Sequence, residues 1–259
     1  FVNDAFGAAH RAHASTAGLA SKVRARGGIA VAGLLMAKEL RFLGEALRNP
    51  ERPFVAILGG AKISGKIDVV SALLPKVDHL LIGGAMANTF FRALGHDTGG
   101  SLVEPDRIDM ARELIERAGE KLVLPVDAVV TDRIEKGAAT RVVTLDAVAD
   151  GDIIIDVGPE TVALFTGLIG SAQTVVWNGP MGVFEIPAFA RGTIQVAKAL
   201  ADVCDRGAIG ITGGGDSAAA AEEAGVAHRL THVSTGGGAS LELLAGRALP
   251  GVESLNDKD

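Results

Sequence analysis

Apolar positions along the 259-residue chain fall into two regimes that divide near residue 50. Beyond that point, short apolar runs alternate with glycine-bearing turns and amphipathic segments. The runs are PFVAILGG, HLLIGG, KLVLPVDAVV, DIIIDVG, TVVWNGP, GAIGITGGG and RLTHVSTGGG. Their density of Val, Ile and Leu, without strict alternation, predicts strands covered on both faces. The segments between them keep helical spacing. In IDVVSALLPKV, residues Ile67, Val70, Leu73, Leu74 and Val77 share one face. In PDRIDMARELIERAG, Pro105 fits the first helical turn and Gly119 ends the helix. Strand and helix in alternation predict an α/β fold, a Rossmann-like parallel sheet with helices on both faces and right-handed crossovers.

The first fifty residues follow another pattern. FVNDAFGAAHRAHAST reads as an isolated strand and turn, with no earlier strand to pair with. VAGLLMAKELRFLGEALRNPERP predicts one long helix, with Leu35, Met36, Leu40, Leu43 and Leu47 on one face, stopped by NPERP. That helix reads as a connector between domains. The segment before it reads as the end of a second α/β domain whose beginning is missing. The chain opens on Phe1 with no signal-peptide pattern, so it reads as the interior of a longer protein.

Composition narrows the partners. Hydrophobic residues at 48% and charged residues at 22% are ordinary for a soluble globular chain. The 34 glycines cluster at the ends of apolar runs and form no low-complexity tract. Aromatics are only 4%, with one Trp and no Tyr, so the core must be aliphatic. A net charge of −6, with no basic run longer than Arg24 to Arg26, argues against nucleic acid as a partner. No apolar segment reaches the ~18 residues of a membrane span. A single cysteine, Cys204, excludes an intramolecular disulfide and suits a reducing compartment.

Candidate chemistry follows from the glycines. In open parallel sheets, ligands bind outside the carboxyl ends of the strands. Turns such as ITGGGDSAAAA and HVSTGGGAS stand there and open helices, offering bare N–H groups suited to phosphate oxygens. Weaker versions occur at AILGGAK, LIGGAMA and VWNGPMG, and five such turns on one edge predict a phosphate-bearing ligand. GAKISGKI has the spacing of a P-loop, but Ile67 stands where Ser or Thr would hold magnesium. Lys62 and Lys66 share a face if a helix begins near Ser64, and are the candidate phosphate binders. Asp216 is either a helix N-cap or a magnesium contact beside phosphates. Glu185 is either a surface charge or an acceptor for ribose hydroxyls.

Other residue types give less. Trp177 reads as core, Cys204 as inert, and His79, His96 and His228 as solvated or structural. His10 and His13 flank Arg11 without metal-ligand spacing, leaving a surface turn or an anion clamp built on Arg11. No nucleophile elbow or Cys–His arrangement is present.

FVNDAFGAAHRAHAS, PFVAILGGAKISGK, VVWNGPMGVFE, GGGDSAAA and HVSTGGGASLELLAGRALPGVE together resemble the phosphoglycerate kinase family, from Phe1 nearly to the C-terminus. The resemblance implies reversible phosphoryl transfer in glycolysis, between ADP/ATP with magnesium (Mg2+) and the carboxyl group of 3-phosphoglycerate. The product of phosphorylation is 1,3-bisphosphoglycerate, and the intact protein would be a cytoplasmic monomer. Residues 1–28 would end the phosphoglycerate domain, and 29–50 would form the interdomain helix. Residues 51–248 would be the nucleotide domain, and 249–259 a tail returning to the first domain.

Carried over by resemblance, Lys62 and Lys66 bind nucleotide phosphates and the transferring group, Lys66 nearer the transition state. Asp216 meets magnesium, Ser217 the phosphates, and Asn178 a phosphate. Gly213, Gly214 and Gly215 belong to the same nucleotide turn. Pro180, Val183 and Glu185 surround the ribose, while Gly60, Ala61, Gly83 and Gly84 shape the base pocket. Gly236, Gly237 and Gly238 aim N–H groups at the transferred phosphoryl and the acyl phosphate, and His10 and Arg11 reach the phosphoglycerate. These residues suit a transfer that needs positioning and charge neutralisation.

Three departures from the family pattern stand out. Gly65 replaces the usual Asp and is expected to loosen or re-aim the lysine turn. Ala85 replaces a third glycine near the base pocket. The family's earlier N-terminal portion is absent, so this chain alone is expected to bind nucleotide but turn over poorly. Two rival readings remain at this point. A P-loop NTPase is opposed by Ile67 and the lack of a Walker B pattern. A non-catalytic nucleotide-binding or assembly module would use a dimer interface on residues 1–45.

Overall fold

The computed structural model describes residues 1–234 and 236–257, leaving aside the side chains of residues 45–47. β1 (Val2–Asn3) leads through short 3-10 and π turns into α1 (Leu19–Ala25). β2 (Val31–Ala32) is followed by α2 (Leu34–Arg48). Then come β3 (Phe54–Leu58), α3 (Ile67–Leu73), β4 (His79–Ile82), α4 (Met86–Ala93), α5 (Ile108–Ala118) and β5 (Leu122–Val123). The chain continues with β6 (Asp127–Thr131), β7 (Arg141–Thr144), β8 (Ile153–Val157), α6 (Pro159–Gly170), β9 (Thr174–Asn178) and α7 (Arg191–Asp205). It closes with β10 (Ile209–Gly213), α8 (Gly215–Glu223), β11 (His232–Ser234), α9 (Gly238–Leu244) and α10 (Pro250–Glu253).

The α/β expectation holds. Six strands form one parallel sheet in the order β11-β10-β9-β3-β4-β5. Every residue of β3 is buried, as a strand covered on both faces requires. Its side chains alternate between two cores: Phe54, Ala56 and Leu58 enter one, and Val55 and Ile57 the other. Helices therefore cover both faces. The α5 expectation also holds, with Pro105 in the 3-10 turn leading in and Gly119 at the C-cap with φ 52°. Among the described residues, no helix is long and apolar enough to cross a membrane.

Two runs depart from the expected parallel sheet. KLVLPVDAVV divides at Pro125: β5 stays on the large sheet, while β6 joins β7 and β8 in a separate antiparallel sheet of order β7-β6-β8. Pro lacks the N–H a ladder needs, and it breaks the run. β7, from the sequence RVVT, is mostly exposed and too weakly apolar to stand out.

The first segment is also better paired than its sequence suggests. β1 is not isolated; it runs parallel to β2, Val2 opposite Val31. That pairing keeps Val31 and Ala32 extended, so α2 starts three residues later than its apolar pattern, at Leu34. Asp4 from after β1 accepts the Met36 N–H at 2.8 Å and so satisfies an orphan donor of the first turn of α2. Met36 and Leu43 are fully buried and Leu40 packs beside them, but Leu35 is 47% exposed. Leu47 lies outside the described residues.

Candidate functional site

The five glycine turns do lie at the carboxyl ends of β3, β4, β9, β10 and β11, along one edge of the sheet. Two adjoining cavities open there and share Gly60, Ala61 and Asp216. One, of about 250 Å³, is mainly apolar and is lined by Gly84, Ala85, Pro180, Val183 and Glu185 among the expected residues. The other, of about 360 Å³, is lined by Lys62, Lys66, Asn178, Gly213, Gly214, Gly215, Ser217, Gly237 and Gly238. An apolar slot continuous with a cationic, glycine-lined cleft has the form needed for a base joined to phosphates.

The glycines divide by what their missing side chains would meet. A Cβ on Gly84 (φ 67°) would collide with Gly60 and with the Pro180 carbonyl, so this glycine lets two strand ends approach. Gly83 lies outside both cavities because Met181 fills the space above it; Gly236 is likewise closed off by Phe6 and Ser240. By contrast, nothing lies within 4 Å of a Cβ on Gly215 or Gly237, which border the cleft. His10 and Arg11 do not line either cavity. His10 lies beside the cleft, its Nε2 2.9 Å from a Cβ on Gly238, and accepts the Arg11 Nε–H at 3.2 Å.

Lys62 and Lys66 do not share a helix face. α3 begins at Ile67, so both lysines sit in the turn before it, which Lys66 N–H closes onto the Ile63 carbonyl at 2.8 Å. Lys62 is exposed, whereas Lys66 is largely enclosed. Its Nζ donates to the Asn178 main-chain oxygen at 2.8 Å and to Asn178 Oδ1. Asn178 Nδ2 in turn donates to the Gly213 carbonyl at 2.6 Å. Both ends of that amide are thus engaged with protein, one of them with Lys66. Burial pushes the Lys66 ammonium down from its usual 10.5 to about 8, partly opposed by the Asp216 carboxylate.

Gly65 is not forced on this turn. Its φ is not left-handed, and a Cβ there would meet only the Lys62 carbonyl, at 3.9 Å. Buried Ile63 anchors the turn instead. Gly65→Ala is therefore expected to stabilise the free protein by about 0.5 kcal/mol through the unfolded chain, read as a shift in the urea midpoint at constant slope.

Asp216 is not the N-cap of α8. Gly214 takes that place with φ 95°, and Asp216 is the exposed second residue of the helix. The first bond within α8 is Ala218 N–H to Gly214 O, so the N–H groups of Gly215, Asp216 and Ser217 stand in the turn that has no helical partner. Ser217 is buried, and its Oγ accepts the Gly179 N–H at 2.6 Å. Among the described residues, no three His, Cys, Asp or Glu side chains are arranged to hold a metal. One exposed carboxylate beside a phosphate-sized cleft instead fits a hard cation that takes most of its oxygens from phosphate and water. Trp177 is core, as expected, its Nε1 donating to the Gly179 carbonyl at 2.8 Å.

Three acidic groups and one histidine escaped the sequence reading. Asp127 and Asp156 line the apolar cavity, brought there by the antiparallel sheet. Asp127 caps α6, accepting from Glu160 N, Thr161 N and Thr161 Oγ. Burial pushes Asp156 up to about 7, against the N–H bonds from Gly192 and Val157. Asp156 had a usable signal, since DIIIDVG ends at a strand's carboxyl terminus like the glycine turns. Glu39 of α2 and His232 of β11 bond at 2.7 Å with side chains only 2% and 3% exposed, and Phe42 stacks on the imidazole at 5.0 Å. No local pattern announces that pair.

Comparison with known proteins agrees with this architecture. The family profile described as phosphoglycerate kinase matches residues 1–247. The phosphoglycerate kinase of Lactobacillus delbrueckii subsp. bulgaricus is 55% identical over 258 residues, 100% of this chain and 63% of that protein. That of Chlorobium phaeobacteroides is 56% identical over 260 residues, covering 99% of this chain and 64% of the relative. The phosphoglycerate kinase structure from Coxiella burnetii superposes with a TM-score of 0.90 at 46% identity, over 98% of this chain and 64% of the other. The chain thus spans less than two thirds of the length of the relatives it matches.

Proposed function

Because the chain belongs to the phosphoglycerate kinase family, we propose that its glycine edge binds Mg-ADP or Mg-ATP. It would supply the nucleotide side of a reversible phosphoryl transfer to the carboxyl group of 3-phosphoglycerate. The observation that carries this reading is the meeting of Lys66, Asp216 and the first-turn amides of α8 in one cleft that opens into an apolar slot. Residues 51–248 would form the nucleotide domain and 29–50 the link to the phosphoglycerate domain. The last residues of the first domain would be 1–28, and 249–259 would return toward them.

In the proposed complex the base occupies the slot between Gly84 and Val183, with Glu185 at its exposed rim accepting from ribose hydroxyls. Lys62 and Lys66 neutralise phosphate charge, and the amides of Gly215, Asp216 and Ser217 donate to phosphate oxygens. Asp216 would hold magnesium, which adds further charge neutralisation to the transferring group. Gly237 and Gly238 face the same cleft and would receive the transferred phosphoryl, with His10 and Arg11 on the acceptor side. More than a third of each relative's length has no counterpart here, so this chain alone is expected to bind nucleotide far better than it turns over. The setting would be glycolytic and cytoplasmic.

Asp216→Asn tests the metal assignment. In magnesium the variant should bind ADP about tenfold more weakly than the wild type, while in chelator the two should bind alike. Equal magnesium dependence in both would remove Asp216 from the metal's shell.

A second reading, a nucleotide-binding assembly module, draws on the exposed apolar residues Val2, Ile29, Val31, Leu34 and Leu35 near β1 and β2. We assign that face to the part of the family's length that this chain does not cover. Concentration-dependent dimerisation blocked by Leu34→Glu, together with absent nucleotide binding, would favour the assembly module instead.

A further inference from the structure

The turn carrying Lys62 and Lys66 has few bonds of its own, yet one side chain from far along the chain grips its tip. Glu104, between α4 and α5, accepts the Ser64 N–H on Oε2 at 3.1 Å and the Ser64 hydroxyl on Oε1. Both carboxylate oxygens are therefore spent on the one residue midway between the lysines. Glu104 is itself held in place. Its N–H donates to Thr89 Oγ1 at 3.2 Å, and Asn88 Nδ2 donates to the Leu102 carbonyl at 3.1 Å. Asn88 and Thr89 are fully buried on α4, and Asn88 also lines the apolar cavity. Ser101 Oγ meanwhile accepts the Ile154 N–H at 2.8 Å, tying the same segment to β8.

Residues 101–104 thus form a strap running from the floor of the apolar slot to the lysine turn. We propose that Glu104 is a positioning residue for phosphate binding: its clasp on Ser64 fixes the backbone between Lys62 and Lys66 relative to the base slot. Gly65, next to Ser64, adds no side chain to hold the turn, so the clasp fixes its middle while buried Ile63 and the Lys66–Asn178 bonds fix the rest. A carboxylate accepting both an N–H and an O–H bond fixes position and direction together, as a charge-assisted pair should. The inference rests on the nucleotide-binding reading above.

The test compares the wild type with Glu104→Ala, Glu104→Gln, Ser64→Ala and the double Ala variant. Binding of Mg-ADP and of adenosine is measured, together with amide hydrogen exchange across residues 61–66. Glu104→Ala should weaken Mg-ADP about fivefold, leave adenosine affinity unchanged, and speed exchange at Ser64. Glu104→Gln, which keeps one acceptor oxygen, should recover most of the loss. Ser64→Ala, which keeps the main-chain N–H bond to Oε2, should lose less than Glu104→Ala. The double variant should be no worse than Glu104→Ala alone, because that single change already removes both bonds. Equal loss of adenosine and Mg-ADP affinity would overturn the proposal, since Glu104 would then merely support the fold. Unchanged exchange at Ser64 would overturn the clasp whether or not nucleotide binds. A wild type that binds neither probe would sink the nucleotide reading itself, and with it a role for Glu104 in phosphate positioning.

Discussion

Lys66→Met should make the free protein more stable while removing most of its affinity for a nucleoside diphosphate. The two effects share a cause. Lys66 is held in a largely enclosed position by Asn178, and its ammonium is pushed down from 10.5 to about 8 chiefly by lost solvation. Holding that charge in so enclosed a position costs folding free energy, roughly 3 kcal/mol by the linkage between proton affinity and stability. Methionine fills similar space without the charge. The lost bonds to Asn178 offset part of the gain, leaving about 2 kcal/mol at neutral pH.

The sign of the pH dependence separates this account from a packing effect. Between about 8 and 10.5 the unfolded chain holds the Lys66 proton more tightly than the folded one. The wild type should therefore gain stability from this group as pH rises through that window, and the advantage of the methionine variant should shrink over the same interval. Nucleotide binding should run the other way. An anion in the cleft favours the ammonium, so affinity should fall above pH 8 and binding near that pH should take up a proton. Affinity in Lys66→Met should drop about a hundredfold, as expected for one largely buried charge pair. Urea denaturation across pH 7 to 10.5 and calorimetry in buffers of different ionisation heat read both halves. A variant less stable than the wild type at pH 7 would contradict the account.

Glu39→Ala should be among the most damaging changes outside the cleft, costing about 3 kcal/mol. It takes the Glu39 carboxylate away from His232 Nε2, and among the described residues His232 Nδ1 already lacks a partner. Both nitrogens of an imidazole only 3% exposed would then be unsatisfied, beside a cavity left on α2. Replacing both members by leucine should recover much of the loss, because the pair's cost then vanishes with its benefit. Since β11 runs into Gly236, Gly237 and Gly238, the single variant should also loosen the turn that borders the cleft. Chemical denaturation of Glu39→Ala and of the double Leu variant checks this. Equal destabilisation in the double Leu variant and Glu39→Ala would count against the argument.

What the sequence made legible was local. Phe54 to Leu58 announces a buried parallel strand by its own composition, and the glycines after β3, β4, β9, β10 and β11 announce the strand ends beside which the two cavities open. Direction was not legible: DIIIDVG has the same apolar density as its parallel neighbours, yet β8 pairs antiparallel with β6. Nor does the letter G distinguish Gly83, closed off by Met181, from Gly215, open to the cleft.

The remaining features depend on distant partners. Lys66 takes its aim from Asn178, 112 residues on, Ser64 its anchor from Glu104, and His232 its bond from α2. Such pairs follow from topology, which no window of the chain contains. β1 reads as isolated in the sequence for the same reason, because its partner β2 comes later and pairs parallel.

The most direct measurement of the central claim is titration calorimetry of Mg-ADP against this chain, with its fold established by cooperative urea unfolding. The account predicts saturable binding at one site, weakened by Lys66→Met and by Asp216→Asn. A cooperatively folded chain that shows no binding, or binds equally well in both variants, would mean that the glycine edge is not the nucleotide site.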